Sequence, residues 1–254
     1  MRYKALMLDI DGTVIPYDFT ALPSEKLRIT LEKAQEKVAV FLVTGRSYYS
    51  TKPIIEALGL TSSYVVVDNG AYVLDLENQK SISENFIEPH DVNQVATVLT
   101  RESVPFYVKD IKTFCTNRDF AIYEPNNPLE DVSMVFTDER FPGEKIDRIM
   151  EEFSSPTLNV FKVKHKDPRK FGISFTHAKA TKLHGIAEVI KLLNISKQEI
   201  VGVGDGYNDL SLLMASGLKV AMGNAIDELK EVADFIAPSV DDDGVATVVE
   251  KFIL

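Results

Sequence analysis

The most constraining feature of the sequence is a short apolar run at residues 5–8 that ends abruptly in Asp-Ile-Asp-Gly-Thr at residues 9–13. An apolar run closed by a glycine turn is typical of a buried β-strand that stops at the turn. Open α/β sheets bind ligands just outside the carboxyl ends of such strands. Ionised carboxylates are costly to bury unless they are paired or bind a cation, so Asp9 and Asp11 indicate a functional site. A strand-end turn with solvated acids is the alternative interpretation.

The first third of the chain alternates such apolar runs with helices that Ser24 and Gly59 are predicted to cap. This pattern predicts a doubly wound, Rossmann-like parallel sheet of the α/β class, with both faces buried. Between residues 83 and 177 the pattern changes to helix-strand-strand, twice over, which indicates an inserted α+β domain. We therefore expect one domain from residues 1–82 and 178–254, with residues 83–177 inserted as a lid.

Composition narrows the possible partners. The chain has 254 residues and a formal net charge of −10, with no Lys/Arg-rich run, which argues against nucleic acid. No apolar stretch approaches the ~18 residues of a transmembrane helix, and the start is too polar for a signal peptide, so a cytoplasmic location without membrane association is expected. Cys115 is the single cysteine, expected to be a packing residue, and it excludes an intrachain disulfide. A monomer and a homodimer both remain open.

A second polar segment, Thr-Gly-Arg-Ser at residues 44–47, follows the apolar run at residues 38–43. A hydroxyl and the backbone N–H groups of this segment could hold an anion there. An ordinary strand-to-helix turn is the alternative. Lys182, at the start of a predicted helix, signals nothing by itself, because most lysines are exposed surface residues.

The segment Gly-Asp-Gly-Tyr-Asn-Asp at residues 204–209 is the strongest partner of the first motif. Asp205 stands where a predicted strand ends, and Asp209 follows about one helical turn later. Helix capping would explain each aspartate alone, but not the gathering of acids at the strand ends of one sheet. Together with Asp9 and Asp11 they would repel one another unless a cation lay among them, and Mg²⁺ suits such carboxylates.

In this order and spacing the four segments resemble the haloacid dehalogenase superfamily. Three further segments, at residues 69–71, 221–225 and 243–246, resemble its Cof-type phosphatases, and the insertion resembles the small α/β cap of that branch. The resemblance departs from the pattern at Val14 and at Leu183, where leucine and glycine are common.

The resemblance implies a role for each matched residue. Asp9 would be the nucleophile that forms an aspartyl-phosphate, and Asp11 would protonate the leaving oxygen and then activate water. Mg²⁺ would be held by the side chains of Asp9 and Asp205 and by the main-chain carbonyl of Asp11, with Asn208 and Asp209 supporting the metal ligands or orienting Lys182. Thr44 and Lys182 would neutralise the transferring phosphoryl group. The residues expected to contact substrate or phosphate are Gly12, Thr44, Gly45, Arg46, Lys182 and Asn208.

The resulting hypothesis is a Mg²⁺-dependent phosphatase that hydrolyses small phosphomonoesters, such as a sugar phosphate or a phosphorylated small acid. A phosphomutase similar to the phosphomannomutases is the nearest alternative. A non-catalytic regulator that binds a phosphorylated ligand is the alternative from another class.

Overall fold

A computed structural model describes residues 3–18, 20–61, 63–110, 131–137, 139–164 and 169–254. The chain forms two compact units, one from Met1–Glu84 and Thr181–Leu254 and the other from Asn85–Ala180. Cys115 and an expected strand at residues 112–116 lie outside the described residues. Within the described part of the chain, no helix combines the length and apolar character needed to cross a bilayer.

The first unit is built on an eight-stranded sheet. Its parallel strands are β1 (Ala5–Leu8), β2 (Ala39–Val43), β3 (Tyr64–Val67), β11 (Ile200–Gly204), β12 (Leu218–Ala221) and β13 (Phe235–Ile236). An antiparallel hairpin of β4 (Tyr72–Asp75) and β5 (Lys80–Glu84) continues the sheet beyond β3. The strand order is β13-β12-β11-β1-β2-β3-β4-β5. The prediction of a doubly wound parallel sheet is thus confirmed for six strands, and the antiparallel hairpin is an addition that the sequence pattern did not indicate.

Helices complete the first unit. They are α1 (Glu25–Gln35), α2 (Tyr48–Leu58), α5 (Lys182–Leu193), α6 (Leu210–Met214), α7 (Asp227–Val232) and α8 (Gly244–Phe252), with short 3₁₀ turns at Asp68–Gly70, Lys197–Glu199, Tyr207–Asp209 and Val240–Asp242. Ser24 caps α1 by accepting a hydrogen bond from the N–H of Leu27, at 3.0 Å. Gly59 ends α2 with φ of 66°, which glycine adopts without steric cost. Both predicted caps are confirmed.

Strand β1 lies at the centre of the sheet, between β2 and β11. Leu8 pairs with Leu42 of β2 on one side and with Val203 of β11 on the other. Because the three strands are parallel and in this register, the segments that follow them leave the sheet at one edge. This arrangement brings the segments that begin at Asp9, Thr44 and Asp205 next to one another.

The turn after β3 has an unusual backbone. Asp68, Asn69 and Gly70 have φ of 49°, 54° and 97°, three successive residues in a region that side chains disfavour. A Cβ on Gly70 would lie 2.2 Å from the carbonyl oxygen of Thr181, so this position requires glycine. The turn therefore packs directly on the residue that precedes α5.

The second unit has its own sheet and core. It contains α3 (Pro89–Arg101), β6 (Tyr107–Asp110), β7 (Val132–Phe136), β8 (Phe141–Pro142), α4 (Gly143–Met150), β9 (Leu158–Lys164) and β10 (Lys170–His177). The strand order is β6-β7-β10-β8, with β9 also paired to β10, and each of these pairs is antiparallel. Val95, Ile146, Ile173 and Phe175 are fully or almost fully buried between the helices and this sheet.

Candidate active site

Three aspartates of the first unit form a buried cluster. Asp9, Asp205 and Asp209 each offer a carboxylate oxygen, and these atoms lie within 4.8 Å of one another. Asp9 directly follows β1, and its N–H donates to the carbonyl of Val203 at 3.0 Å. Asp205 directly follows β11, and Asp209 lies in the 3₁₀ turn behind it. The central strands of the sheet thus place three carboxyl groups together away from bulk water.

The first residue of α5 joins this cluster. The Nζ of Lys182 lies 2.6 Å from Oδ1 of Asp9 and 2.6 Å from Oδ1 of Asp209, with 1% of its side chain exposed. Burial by itself would lower the pKa of Lys182, but the two neighbouring carboxylates outweigh it and raise the pKa. Lys182 is therefore a charged ammonium that bridges two of the three acids.

The carboxylate of Asp209 holds the groups around it in place through hydrogen bonds. One carboxylate oxygen, Oδ1, accepts from Lys182, while Oδ2 accepts from the backbone N–H groups of Asp205 at 3.0 Å and Gly206 at 2.9 Å. A Cβ on Gly204 would lie 2.5 Å from the Cβ of Asp209, which explains the glycine before Asp205. This one carboxylate thus orients both the ammonium and the loop that carries Asp205.

The crowding of acids changes their affinity for protons. Burial is the largest influence on Asp9 and raises its pKa to about 7, against the opposing attraction of Lys182. Burial likewise raises the pKa of Asp205 to about 6, although hydrogen bonds from Tyr17 and Thr13 act in the opposite direction. These carboxylates are therefore poised to accept either a proton or a cation near neutral pH.

Asp11 has a different partner. The guanidinium of Arg46 donates from Nε to Oδ2 of Asp11 at 2.9 Å and from Nη2 to Oδ1 at 2.6 Å. The hydroxyl of Thr44 accepts from the N–H of Arg46 at 3.1 Å, so the turn after β2 is held together by its own side chain. This two-pronged contact holds Asp11 in one orientation while leaving its side chain partly exposed.

Gly12 lets the loop after β1 approach the cluster. Its φ is 80°, and a Cβ there would lie 2.2 Å from Oδ2 of Asp205. Its carbonyl oxygen accepts from Nδ2 of Asn224 at 2.8 Å, and Oδ1 of Asn224 accepts from the N–H of Val240 at 2.9 Å. Asn224 therefore ties the loop of the first motif to the loop before α8.

The family model described as haloacid dehalogenase-like hydrolase matches residues 6–249. The chain belongs to the haloacid dehalogenase-like hydrolases. YkrA of Bacillus subtilis (strain 168), whose name proposes a phosphatase, is 30% identical over 99% of this chain and 98% of its own. A second protein of that strain, 5-amino-6-(5-phospho-D-ribitylamino)uracil phosphatase YcsE, is 24% identical over 99% of this chain and 96% of its own.

Solved structures of other proteins have the same fold as this chain. The subclass IIB sugar phosphatase BT4131 superposes with a TM-score of 0.73 at 24% identity, covering 98% of this chain and 98% of that one. The hydrolase thus has the fold of the Cof-type branch that the motifs resemble. Its enzyme class is that of the phosphoric monoester hydrolases of this superfamily.

The predicted site residues of the hydrolase fall into three sets. The structure brings Asp9, Asp205, Asp209 and Lys182 together in the buried cluster, with Gly12 against Asp205. It pairs Asp11 with Arg46 through two hydrogen bonds. The remaining residues adjoin these groups along the chain: Thr44 is buried directly after β2, a Cβ on Gly45 would lie 3.1 Å from Oδ1 of Asn69, and Asn208 is exposed in the 3₁₀ turn at Tyr207–Asp209. The roles assigned to all of them stay predictions.

Sequence reasoning missed two residues that hold Asp205. The hydroxyl of Tyr17 donates to Oδ2 of Asp205 at 2.6 Å, and the hydroxyl of Thr13 donates to Oδ1 at 3.2 Å. Thr13 belongs to the first motif, whose position beside the acids was a usable signal. Tyr17 lies beyond the motif and 188 residues from Asp205, and no sequence pattern indicates its contact with that acid.

The donor set of the cluster fits Mg²⁺. Carboxylate oxygens are the ligands that this cation prefers, and Lys182 offers one positive charge against three carboxylates. The raised pKa values of Asp9 and Asp205 have burial as their largest cause, which is a cost that a bound divalent cation would offset. Asp209 already accepts three hydrogen bonds, so Asp9 and Asp205 are the better-suited side-chain ligands.

The raised pKa of Asp9 predicts a pH dependence of stability. A carboxyl whose pKa rises from 3.8 to about 7 on folding contributes stability that is full below the unfolded value and is lost as pH rises through the folded one. We therefore expect the free energy of unfolding of the wild type, minus that of Asp9→Asn, to fall between pH 4 and pH 8 in EDTA. Urea unfolding at several pH values measures this difference. A difference that stays flat or rises would show that Asp9 is ionised in the folded protein across the range.

Proposed function

We propose that the protein is a Mg²⁺-dependent phosphatase that hydrolyses small phosphomonoesters through an aspartyl-phosphate on Asp9. The observation that carries this proposal is the placement of two acids with different partners on one loop. Asp9 contacts the ammonium of Lys182 in the buried cluster, while Asp11, two residues on, is held by Arg46 and is partly exposed. Two carboxylates on one loop that have different partners can take different roles, one as the nucleophile and the other as the proton carrier.

In the first step, a carboxylate oxygen of Asp9 attacks the phosphorus, and the bond from phosphorus to the ester oxygen breaks. Lys182 contacts Oδ1 of Asp9, so Oδ2 is the oxygen assigned to the attack. Once one of its two hydrogen bonds from Arg46 has opened, Asp11 can carry a proton, and it gives that proton to the departing oxygen, which leaves as an alcohol. Lys182 and the Thr44 turn stabilise the negative charge on the phosphoryl oxygens.

In the second step, Asp11 takes a proton from water as the water oxygen attacks the phosphorus of the aspartyl-phosphate. The bond from phosphorus to Asp9 then breaks, and inorganic phosphate leaves. Mg²⁺, held by the side chains of Asp9 and Asp205 and the main-chain carbonyl of Asp11, would neutralise charge on the phosphate when bound. Asp209 keeps Lys182 in place during both steps through the contact at 2.6 Å.

The proposed substrate is a small phosphorylated metabolite, such as a sugar phosphate or a phosphorylated small acid. Support comes from the name of YcsE, which describes a phosphatase of a small phosphoribityl compound. We assign specificity to the inserted α+β unit, which acts as the cap in this proposal and excludes water from the reacting groups. In keeping with this role, that unit has a sheet and a hydrophobic core of its own.

Phosphate release from a panel of phosphomonoesters, at neutral pH with Mg²⁺ or with EDTA, tests the proposal. The panel contains hexose phosphates, phosphoglycolate, a phosphoribityl compound and pyridoxal phosphate. We expect turnover that requires the metal and prefers one class. Transfer of the phosphoryl group within a sugar phosphate, stimulated by a bisphosphate, would instead identify a phosphomutase. Binding and stabilisation without turnover would identify a phospho-ligand-binding regulator.

Arg46 offers a test of how Asp11 is used. Arg46→Lys keeps the positive charge but loses the planar two-pronged contact, so we expect kcat to fall by roughly 10- to 100-fold, because Asp11 loses its orientation. The KM of the substrate should change little. The matched control is Arg28→Lys, since Arg28 makes the same kind of contact with Glu25 on the surface of α1. A raised KM with an unchanged kcat would show that Arg46 binds the substrate instead.

A further inference from the structure

Tyr17 combines high exposure with a contact in the acid cluster. It is 73% exposed, yet its hydroxyl donates to Oδ2 of Asp205 at 2.6 Å. Because most of the Tyr17 ring is exposed, its burial contributes little hydrophobic free energy at this position. What this tyrosine gains is the hydrogen bond at its tip.

The loop after β1 places two hydroxyl donors on the same carboxylate. Thr13 donates to Oδ1 of Asp205 at 3.2 Å, and Tyr17 donates to Oδ2. Between them, the missing side chain of Gly12 makes room, because a Cβ there would lie 2.7 Å from Cε2 of Tyr17. The loop closes on itself through the N–H of Gly12, which donates to the carbonyl of Ile15 at 2.7 Å. The loop of the first motif, although far from Asp205 in the sequence, therefore fixes the orientation of the Asp205 side chain.

A carboxylate has about four lone-pair sites, so an oxygen that accepts one hydrogen bond keeps a site for a cation. Partners that orient a metal ligand in this way typically contribute about 10- to 100-fold to metal affinity or activity. We infer that Tyr17 is a positioning residue that holds Asp205 in its metal-binding orientation. The inference rests on the proposed function, because it takes Asp205 as a ligand of Mg²⁺.

The test compares Tyr17→Phe with Tyr207→Phe. Tyr207 is also an exposed tyrosine whose hydroxyl donates to a carboxylate, that of Glu228 at 3.0 Å, so the two variants lose the same group. The dissociation constant of Mg²⁺ is measured by titration calorimetry on metal-stripped protein without substrate, and kcat and KM are measured at saturating Mg²⁺. Because Tyr17 is a surface residue, the folded state should survive its change, and circular dichroism checks this.

We expect the dissociation constant of Mg²⁺ to rise at least about tenfold in Tyr17→Phe, with most of kcat restored at saturating Mg²⁺. Tyr207→Phe should stay within about twofold of the wild type. An unchanged Mg²⁺ dissociation constant in Tyr17→Phe would overturn the inference, and a raised substrate KM beside it would make Tyr17 a substrate contact. Failure of the proposed function looks different, because the wild type itself would then bind no Mg²⁺ or release no phosphate.

Discussion

Replacing Asp9 with asparagine is expected to lower phosphate release by at least about a thousandfold while preserving the fold. Asparagine has nearly the same size as aspartate, but its amide is not a nucleophile and cannot form the aspartyl-phosphate. Lys182 keeps its contact with Asp209 in this variant, so the buried ammonium retains a carboxylate partner at 2.6 Å. Phosphate release in Mg²⁺, compared with the thermal midpoint of the same samples, separates loss of chemistry from loss of structure.

The matched control for this variant is Asp18→Asn. Asp18 is an exposed acid close to the first motif, and it accepts hydrogen bonds from Thr20 at 2.7 and 2.8 Å. We expect its replacement to leave turnover within about twofold of the wild type, as is usual for surface substitutions. Turnover in Asp9→Asn that matched this control would exclude Asp9 as the nucleophile.

The second large effect is expected on stability. Lys182→Met keeps the length of the side chain but removes the ammonium that lies between Asp9 and Asp209. Removing one partner of a buried ion pair typically costs about 3–5 kcal/mol, because the remaining charges stay buried without compensation. We expect a loss of this size in the free energy of unfolding at pH 8 in EDTA, measured with urea, together with loss of turnover.

Lys191→Met is the control, because Lys191 lies on the same helix with its side chain exposed. The loss caused by Lys182→Met should shrink at pH 5, where Asp9 becomes protonated, since its pKa is raised to about 7 by burial. It should also shrink in an Asp9→Asn background, which already lacks one of the charges. A Lys182→Met protein as stable as Lys191→Met at pH 8 would mean that the ammonium does not compensate the acids.

Local sequence patterns predicted the ends of helices and the clustering of the acids at one edge of the sheet. Ser24 and Gly59 were identifiable as caps because their roles depend on a few neighbouring residues. The acids could be placed at one edge of the sheet because parallel strands of alternating α/β units end there. By contrast, the hairpin of β4 and β5 was missed, since its short segments continue the sheet without a helix between them.

The partners within the site were harder to foresee. Arg46 was expected to contact phosphate, and its contact with Asp11, 35 residues away, depends on the rotamers of two separate loops. The approach of Tyr17 to Asp205 likewise requires the sharp turn at Gly12, which the motif shows, and a side-chain direction, which it does not. Spacing along the chain predicts neighbouring segments, whereas the pairing of side chains is decided by packing in three dimensions.

The glycine contact between the turn after β3 and Thr181 has a consequence for how this enzyme can diversify. Gly70 abuts the carbonyl of Thr181, the residue at which the chain re-enters the first unit and immediately before Lys182. The re-entry point is thus anchored within the first unit, independently of the 96 residues that lie between Glu84 and Thr181. We therefore expect that a unit of another length or shape can replace these residues while the ammonium of Lys182 stays beside Asp9.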